Sequence, residues 1–316
     1  MSDTSKKAAA APTSELGVIP APPGEESGRK NRREAEASLW KDAWRSLRRN
    51  PWFIVASIIL VIMVGMALFP QLFTNNDPRE CSLSRARLSP SGEYWFGTDV
   101  QGCDYYSRVI YGARNSIAVG VIVAACTVAI SIVLGLVGGF YGRWVDAIIS
   151  RTADVFFAIP YVLGAIVFLS VVESRGILEV SFVFTLFMWP VTMRLMRSAV
   201  MSVVNVDYVT AARALGASNA TIMRRHILPN SLAPILGYST VLVGIIIAAE
   251  AALTFLGVGL QLPSISWGLQ LSNAQNYVQT YPHLMVFPLI FVSLSVFAFM
   301  AMGDAIRDAI DPKSKK

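Results

Sequence analysis

Six long apolar segments constrain this chain more than any other feature of its sequence. They cover residues 52–70, 113–139, 146–171, 177–200, 232–256 and 284–303. A helix of about 20 apolar residues crosses a hydrocarbon core of about 30 Å. Only 15 % of the residues are charged, whereas a typical soluble domain carries about 25 %. The sequence therefore predicts an all-α polytopic membrane protein with six spanning helices.

The region before the first span differs in composition from the rest of the chain. Residues 1–33 are rich in Ala, Pro, Ser and charged residues, which predicts a disordered tail. Residues 34–51 place apolar side chains on one helical face and basic side chains on the other, so we expect an amphipathic helix in the membrane interface. No small-residue cleavage site follows the first apolar run. We therefore expect 52–70 to be retained as the first membrane helix.

The basic residues set the expected orientation. They are concentrated before the first span, in the loop after the fourth span and after the sixth, and such segments are retained in the cytoplasm. We therefore expect both termini to be cytoplasmic, with 305–316 as the C-terminal tail. The loops near 71–112 and 257–283 then face outward, and residues 113–304 form a core of five further helices.

Charge placement and missing motifs exclude several classes of protein. The net charge of +6 comes from residues that flank apolar spans and form no binding stripe, so we do not expect nucleic-acid binding. The sequence contains no GxxxxGK[ST], HExxH or Gly-x-Ser-x-Gly motif, and its two histidines, His226 and His283, offer no catalytic triad. No CxxC pair is present to hold a metal. We therefore expect a chain that is not an enzyme, has no ATP site and carries no cofactor or metal.

The loop after the fourth span, residues 201–231, is long and polar and faces the cytoplasm in this topology. Its alanine-rich first part favours a helix, and Gly216 suits a helix end. Ser218 is a good N-cap for a second short helix, which Pro229 is expected to stop. Two short helices joined at a glycine form a compact knob that fits a groove on a partner. From the residues alone, an ordinary loop with incidental helix is an equal alternative.

The spacing within this loop resembles the EAA loop of ABC-importer permeases. Thr210-Ala211-Ala212 stands where that family has Glu-Ala-Ala, and Gly216 and Leu228-Pro229 follow at the family's spacing. Thr210 replaces the motif glutamate, which removes one anionic contact. The loop ends in Arg225-His226-Ile227-Leu228-Pro229-Asn230, which is similar to the peptide/nickel branch. Other motifs similar to that branch are Phe96-Gly97-Thr98-Asp99, Tyr111-Gly112-Ala113-Arg114, Ala158-Ile159-Pro160, Leu253-Thr254-Phe255-Leu256-Gly257 and Ser266-Trp267-Gly268.

The resemblance spans roughly residues 40–312 and implies the transmembrane subunit of a type I ABC importer in the bacterial inner membrane. The implied partners are a second, homologous permease, two cytoplasmic ATPase subunits that bind ATP and Mg, and an extracytoplasmic substrate-binding protein. The favoured cargo is a di- or oligopeptide, with nickel or another small solute as the alternative. The residues assigned to ATPase coupling are Asp207, Tyr208, Thr210, Ala211, Ala212, Arg213, Leu215, Gly216, Ala217, Arg225, His226, Leu228 and Pro229.

Two other classes of protein share the predicted topology. An ion-coupled secondary transporter would show inverted repeats and several carboxylates deep in its spans, and the sequence has no convincing internal repeat. A membrane scaffold protein would not need an inward loop with the spacing of an importer. Deletion or charge reversal in residues 208–218 separates these classes, because only the importer depends on that loop for ATPase association.

Ionisable residues inside the spans are candidates for the pathway or a gate. Arg151 and Asp154 are one turn apart and are expected to pair near the cytoplasmic end of the third span, with a structural role favoured over substrate contact. Glu250 lies about 27 Å along the fifth span, near the outer mouth. It faces either the cavity and gate or a hydrogen-bonding neighbour helix. Phe255 is a further pathway candidate from the motif that ends this span.

Two of the three cysteines are candidates for a disulfide in the first outer loop. Cys81 and Cys103 both fall in the segment predicted to face outward, where disulfides persist. Cys103 stands where the resembled branch usually has an arginine, which fits its recruitment to a disulfide. The residues alone leave open whether the two cysteines are bonded. Cys126 lies within an apolar span and is expected to pack there.

Overall fold

The computed structural model describes residues 44–310. The disordered tail predicted for 1–33 lies outside the described residues. So do most of the predicted interfacial helix, of which only the stretch from residue 44 onward is described, and the last residues, 311–316. Within 44–310 the regular secondary structure consists of helices and two isolated β-bridges.

The helices of the described range are named here in chain order. They are α1 (Pro51–Leu68), α2 (Tyr105–Tyr141), α3 (Arg143–Ala158), α4 (Tyr161–Val171), α5 (Ile177–Val203), α6 (Asp207–Ala214), α7 (Asn219–Ile222), α8 (Leu228–Ser231), α9 (Ala233–Phe255), α10 (Trp267–Ala274) and α11 (His283–Ile310). Five of them, α1, α2, α5, α9 and α11, are long and apolar enough to cross a membrane. The first, fourth, fifth and sixth predicted spans lie on α1, α5, α9 and α11, respectively.

The third predicted span, 146–171, is not one straight helix. It is divided into α3 and α4, whose axes differ by 80°, and it counts as a sixth span only if the bent pair is taken together. Ile159 is extended at the break (φ −88°, ψ 118°), because a residue before proline is driven out of the helical region. Pro160 also has no N–H to continue the ladder. The other proline expected to kink a span, Pro190, lies inside α5, which continues through it.

The helix that carries the second predicted span, 113–139, begins eight residues earlier, at Tyr105. Asp104 caps α2, and its carboxylate accepts a hydrogen bond from the backbone N–H of Tyr106 at 3.3 Å. Ser107 and Arg108 in the first turn are polar but buried. Hydropathy marks such residues as loop because it does not register burial against protein, so it does not reveal the first two turns of this helix.

The long helices approach one another closely where one of them carries glycine. A Cβ added at Gly139 of α2 would lie 2.8 Å from a methyl carbon of Val200 on α5. A Cβ added at Gly135 would lie 2.7 Å from the Cβ of Met196. Small residues allow membrane helices to pack backbone against backbone. The two glycines therefore hold the inner end of α2 against α5.

The opposite face of α2 lies on the surface of the chain. Cys126, which was expected to pack within its apolar span, is exposed there. Many large apolar side chains of α1, α3, α4 and α11 are also exposed. A surface of this kind suits contact with lipid or with another membrane subunit, since the hydrocarbon core solvates apolar side chains.

Two loops fold against the helix ends on the side predicted to face outward. A disulfide joins Cys81 to Cys103 and closes the first loop. Arg108 of α2 forms a buried ion pair with Asp99 in the same loop, at 2.6 Å. The second loop contains α10, and the indole N–H of Trp267 donates to a backbone carbonyl of α2 at 2.9 Å. Both loops are thus fixed to the outer end of α2.

Candidate coupling site and pathway residues

The loop of residues 201–231, called the inward loop from its predicted orientation, contains α6 in its first half. This helix ends at a glycine. The N–H of Gly216 donates to the carbonyl of Arg213, and the N–H of Ala217 donates to the carbonyl of Ala212, both at 3.1 Å. These are the two bonds of a Schellman C-cap. Gly216 has a φ of +78°, a left-handed conformation that glycine adopts without a Cβ clash. Gly216 therefore ends α6 and redirects the chain.

The second half of the loop is a helical run with one irregular turn. The hydroxyl group of Ser218 caps it and accepts a backbone N–H of α7 at 3.3 Å. A π turn, Met223–Ile227, then joins α7 to α8, and the Leu228 N–H donates to the carbonyl of Met223. Pro229 has no N–H to donate, and its ring collides with the carbonyl four residues earlier in a regular helix. The helix bulges and continues, so the expectation that Pro229 stops it is wrong.

Three apolar side chains attach the loop to the spanning helices. Val209, Ile222 and Ile227 are fully buried. They form one cluster with three buried residues at the inner ends of α5 and α9, which are Met196, Val200 and Ile235. Close-packed side chains transmit displacement because they leave no free volume to absorb it. A force on the loop is therefore passed to α5 and α9.

The opposite side of the loop is open, and its most prominent residue is apolar. Leu215 is 88 % exposed at the apex between the two helical parts, and an exposed large apolar residue within a polar rim marks an interaction surface. The exposed members of the predicted coupling set are Asp207, Thr210, Ala211, Arg213, Leu215, Gly216, Arg225 and Pro229. The half-buried members are Tyr208, Ala212, Ala217, His226 and Leu228.

Glu250 is fully buried and reaches no surface of the chain. Its Oε1 accepts a hydrogen bond from the hydroxyl group of Thr254 at 2.8 Å, and that hydroxyl accepts the N–H of Leu260 at 3.1 Å. Two further buried hydroxyl groups, those of Ser116 and Ser266, neighbour the carboxyl. The carboxyl group therefore faces α2 and the second outer loop inside the subunit rather than a cavity.

Two other predicted site residues have ordinary surroundings. Phe255 is half-buried and packs against the main apolar core. His226 is also half-buried, and its ring centroid lies 6.4 Å from that of Tyr208. Among residues 44–310 no group of three His, Cys, Asp or Glu side chains is placed to hold a metal ion.

The acidic residues of α3 pair with arginines of α5. Arg151 Nη1 lies 3.6 Å from Asp154 Oδ2, but the shorter contact to Asp154 comes from Arg194 Nη2, at 2.6 Å from Oδ1. One turn further along α5, Arg197 donates to both carboxylate oxygens of Asp146. Sequence reasoning used both arginines of α5 only as orientation signals. The sequence does place two arginines one turn apart on α5 and two aspartates two turns apart on α3. These spacings were the signal from which the pairing could have been predicted.

Comparison with known proteins places this geometry in a family. The model described as the inner membrane component of binding-protein-dependent transport systems matches residues 131–316. The chain belongs to this family. The model of the N-terminal transmembrane domain of oligopeptide transport permease C matches residues 38–90 of the same permease. Membership implies a multi-pass inner-membrane subunit without a catalytic site of its own. It also implies an ATPase, a substrate-binding protein and a second permease as partners.

Curated relatives resemble the permease over most of its length. The dipeptide transport system permease protein DppC of Alkalihalophilus pseudofirmus is 38 % identical over 88 % of this chain and 91 % of the relative. The oligopeptide transport system permease protein OppC of Bacillus subtilis is 37 % identical, with the same coverage. Among solved structures, the inward-facing MetNI methionine ABC transporter superposes with a TM-score of 0.53 at 18 % identity, covering 64 % of this chain and 96 % of that one. The last likeness shows the fold alone.

Proposed function

We propose that this permease forms half of the pathway of an ATP-driven, binding-protein-dependent importer of di- or oligopeptides. Two of the similar permeases are a dipeptide and an oligopeptide permease, which supports peptide cargo. The observation that carries the coupling role is the two-sided inward loop. Leu215 is exposed on one side, and a buried apolar cluster joins the other side to α5 and α9.

The transport cycle that we propose follows from the exposed side and the buried side of the inward loop. Two ATPase subunits, which bind ATP and Mg, dock on this loop and on the equivalent loop of the second permease. When the ATPases close on ATP, they draw the two loops together. The buried cluster carries that displacement into α5 and α9 and opens the pathway outward, where the binding protein delivers the peptide to the outer loops. Hydrolysis resets the pathway. In this arrangement both termini are cytoplasmic.

Glutathione is a second candidate cargo within the peptide class. The glutathione transport system permease protein GsiD of Pectobacterium atrosepticum is 34 % identical over 87 % of this chain and 92 % of the relative. Cargo is tested by reconstituting the permease in proteoliposomes with its partner permease, ATPases and binding protein. ATP-dependent uptake of a labelled dipeptide, a pentapeptide, glutathione and Ni²⁺ is then compared. We expect peptide uptake, and uptake of Ni²⁺ without any peptide would contradict the proposal.

The coupling role is tested at the apex of the loop. Leu215→Asp puts a charge into the apolar contact with the ATPase, and we expect ATP-dependent uptake to fall at least about tenfold, the equivalent of about 1.4 kcal/mol. Leu83→Asp is the matched control for ATPase association, which it should leave unchanged, because Leu83 is 79 % exposed in the outer loop on the side that the proposal assigns to the binding protein. Unchanged uptake and unchanged ATPase association in the Leu215 variant would show that the loop is not the coupling element.

A further inference from the structure

The charges between α3 and α5 are not balanced at one of their two contacts. Asp146 and Arg197 pair one to one. Asp154, in contrast, is shared by two guanidinium groups, those of Arg151 at 3.6 Å and Arg194 at 2.6 Å. The cluster of Arg151, Asp154 and Arg194 therefore has one positive charge in excess. It can accept an anionic group without losing the pairing of its own carboxylate.

The cluster is open, and one of its arginines is held in a fixed direction. The Arg151 side chain is 86 % exposed, and those of Asp154 and Arg194 are 47 % and 45 % exposed. The guanidinium carbon of Arg194 lies 4.7 Å from the ring centroid of Phe157, a cation–π contact that orients it. The site presents two guanidinium groups, one carboxylate and an aromatic face to whatever lies opposite.

The position of the cluster disfavours a surface bathed by hydrocarbon. Arg194 lies about 26 Å along α5 from its outer end at Ile177, at about 1.5 Å per residue, which is within the thickness of a hydrocarbon core of about 30 Å. Charged side chains at such depths face a water-filled cavity or another protein chain. Within α3, Ala153 is the buried residue, so the charged face is not covered by this subunit. A place in the interior of the assembled importer would meet this requirement.

The mixed charge of the cluster indicates what it binds. Guanidinium groups form strong bidentate hydrogen bonds with carboxylates. Asp154 lies between the two arginines and adds repulsion that grows with the charge of an anion, which favours a singly charged carboxylate over a doubly charged phosphate monoester. The same carboxylate attracts an ammonium group. A ligand that carries a carboxylate and an ammonium group, as a free peptide does at its two ends, meets complementary charges here.

We propose that Arg151, Asp154 and Arg194 form a binding site on the pathway for a charged end of the peptide in transit, with the two arginines taking the terminal carboxylate. This inference rests on the peptide-permease function proposed above. It adds Arg194 to the residues that select cargo and gives Arg151 a role in contact with the substrate rather than a structural one.

The test uses the complete importer in proteoliposomes and one peptide in two forms, with a free or an amidated C-terminus. Arg151→Gln removes the excess charge at an exposed position, so the fold is not at risk. We expect its initial uptake rate for the free peptide to fall about tenfold and its rate for the amidated peptide to change less than twofold. Arg151→Lys is expected to keep at least half of the normal rate. The matched control is Arg143→Gln, an exposed arginine at the start of the same helix, for which neither rate should change.

Each of the other outcomes contradicts the proposed binding site. Because the binding protein is the same in every arm, its own preference for one terminus cancels in the ratio of variant to unmodified rates. Equal loss of both peptides in Arg151→Gln would overturn the site and leave the proposed function in place. A loss that appears only in vesicles of anionic lipid and is the same for both peptides would identify a lipid contact and also overturn it. If the unmodified importer takes up neither form, the proposed function fails and the site fails with it.

Discussion

Thr254 shows how a single hydroxyl group holds an outer loop to a membrane helix. It donates to Glu250 one turn earlier and accepts the N–H of Leu260 beyond the end of α9. Both contacts are buried, where an unmade hydrogen bond costs more than in water. The sequence indicated that a carboxyl group lay near the outer mouth, but not which way it faced. The depth of Glu250 follows from counting residues along the helix. The direction of its side chain depends on how the helix is rotated and on how the outer loop folds back.

Removing this hydroxyl group tests the arrangement. Thr254→Val keeps the side-chain shape but leaves Glu250 Oε1 and the Leu260 N–H without their partner. We expect a loss of about 1–3 kcal/mol in the free energy of unfolding, measured as a lower melting temperature of the purified permease in detergent. Thr254→Ser retains the hydroxyl group and is expected to stay close to the unmodified protein. Equal melting temperatures for the Val and Ser variants would contradict this role for Thr254.

Gly216 provides a second test at a single position. Its φ of +78° is left-handed, and no atom lies within 4 Å of an added Cβ. Replacement therefore meets backbone strain but no clash. Asn tolerates this conformation better than β-branched residues do. We expect Gly216→Asn to keep most of the transport-coupled ATPase activity and Gly216→Val to lose much of it. A Val variant as active as the Asn variant would show that the Schellman turn is not required.

At the scale of helices, hydropathy located most of the spans but missed two features. It left the buried polar first turns of α2 in a loop, because it does not see burial. It did not show the bend between α3 and α4, because hydropathy averaged along a segment does not distinguish a bent helix pair from a straight helix. The proline was visible in the sequence, but the 80° angle of the bend was not. The ion-pair partners of α3 lie on α5 and could not be assigned without knowing how the helices are rotated.

The contact between α2 and α5 is expected to be intolerant of added volume. In Gly139→Ala the new methyl group would lie 2.8 Å from a methyl carbon of Val200 and 3.1 Å from a backbone oxygen of α5. Because neither atom belongs to a long flexible side chain, we expect destabilisation of about 1–3 kcal/mol. The melting temperature of the purified protein measures it. Gly92→Ala is the control, since a Cβ there meets nothing within 4 Å, and an equal effect of both changes would argue against close packing.

At the scale of the whole molecule, the family could be predicted from spacings in the inward loop, and the comparisons confirmed it. The division of the loop into a buried and an exposed face could not be predicted so directly. Leu215 is as apolar as Ile222, yet one is exposed and the other fully buried. The difference arises because the Schellman turn places Leu215 at the apex, while Ile222 reaches the cluster through a second helix.

The disulfide allows the orientation of the whole chain to be measured. If the loop with Cys81 and Cys103 faces outward, a membrane-impermeant maleimide added to intact cells should label neither cysteine until the disulfide is reduced, and should then label Cys81, the exposed member of the pair. Cys126 serves as an internal control, because it lies along the apolar middle of α2 and should not react with a polar reagent. Labelling that requires permeabilised cells would reverse the predicted orientation. A mass shift of the purified permease reports the number of labels.

The open charged face of α3 also determines how a cell must handle newly made copies of this chain. A copy without its partner permease presents Arg151 and Asp154 to the bilayer near the inner edge of the hydrocarbon core, where contact between a charge and lipid is unfavourable. Such a cost loosens the attachment of α3 and α4 and makes the orphan recognisable to membrane proteases. We therefore expect a short half-life in pulse-chase experiments without the second permease, lengthened when the partner is co-expressed. The same charges that meet cargo in the finished importer would thus act during biogenesis as a mark of incomplete assembly.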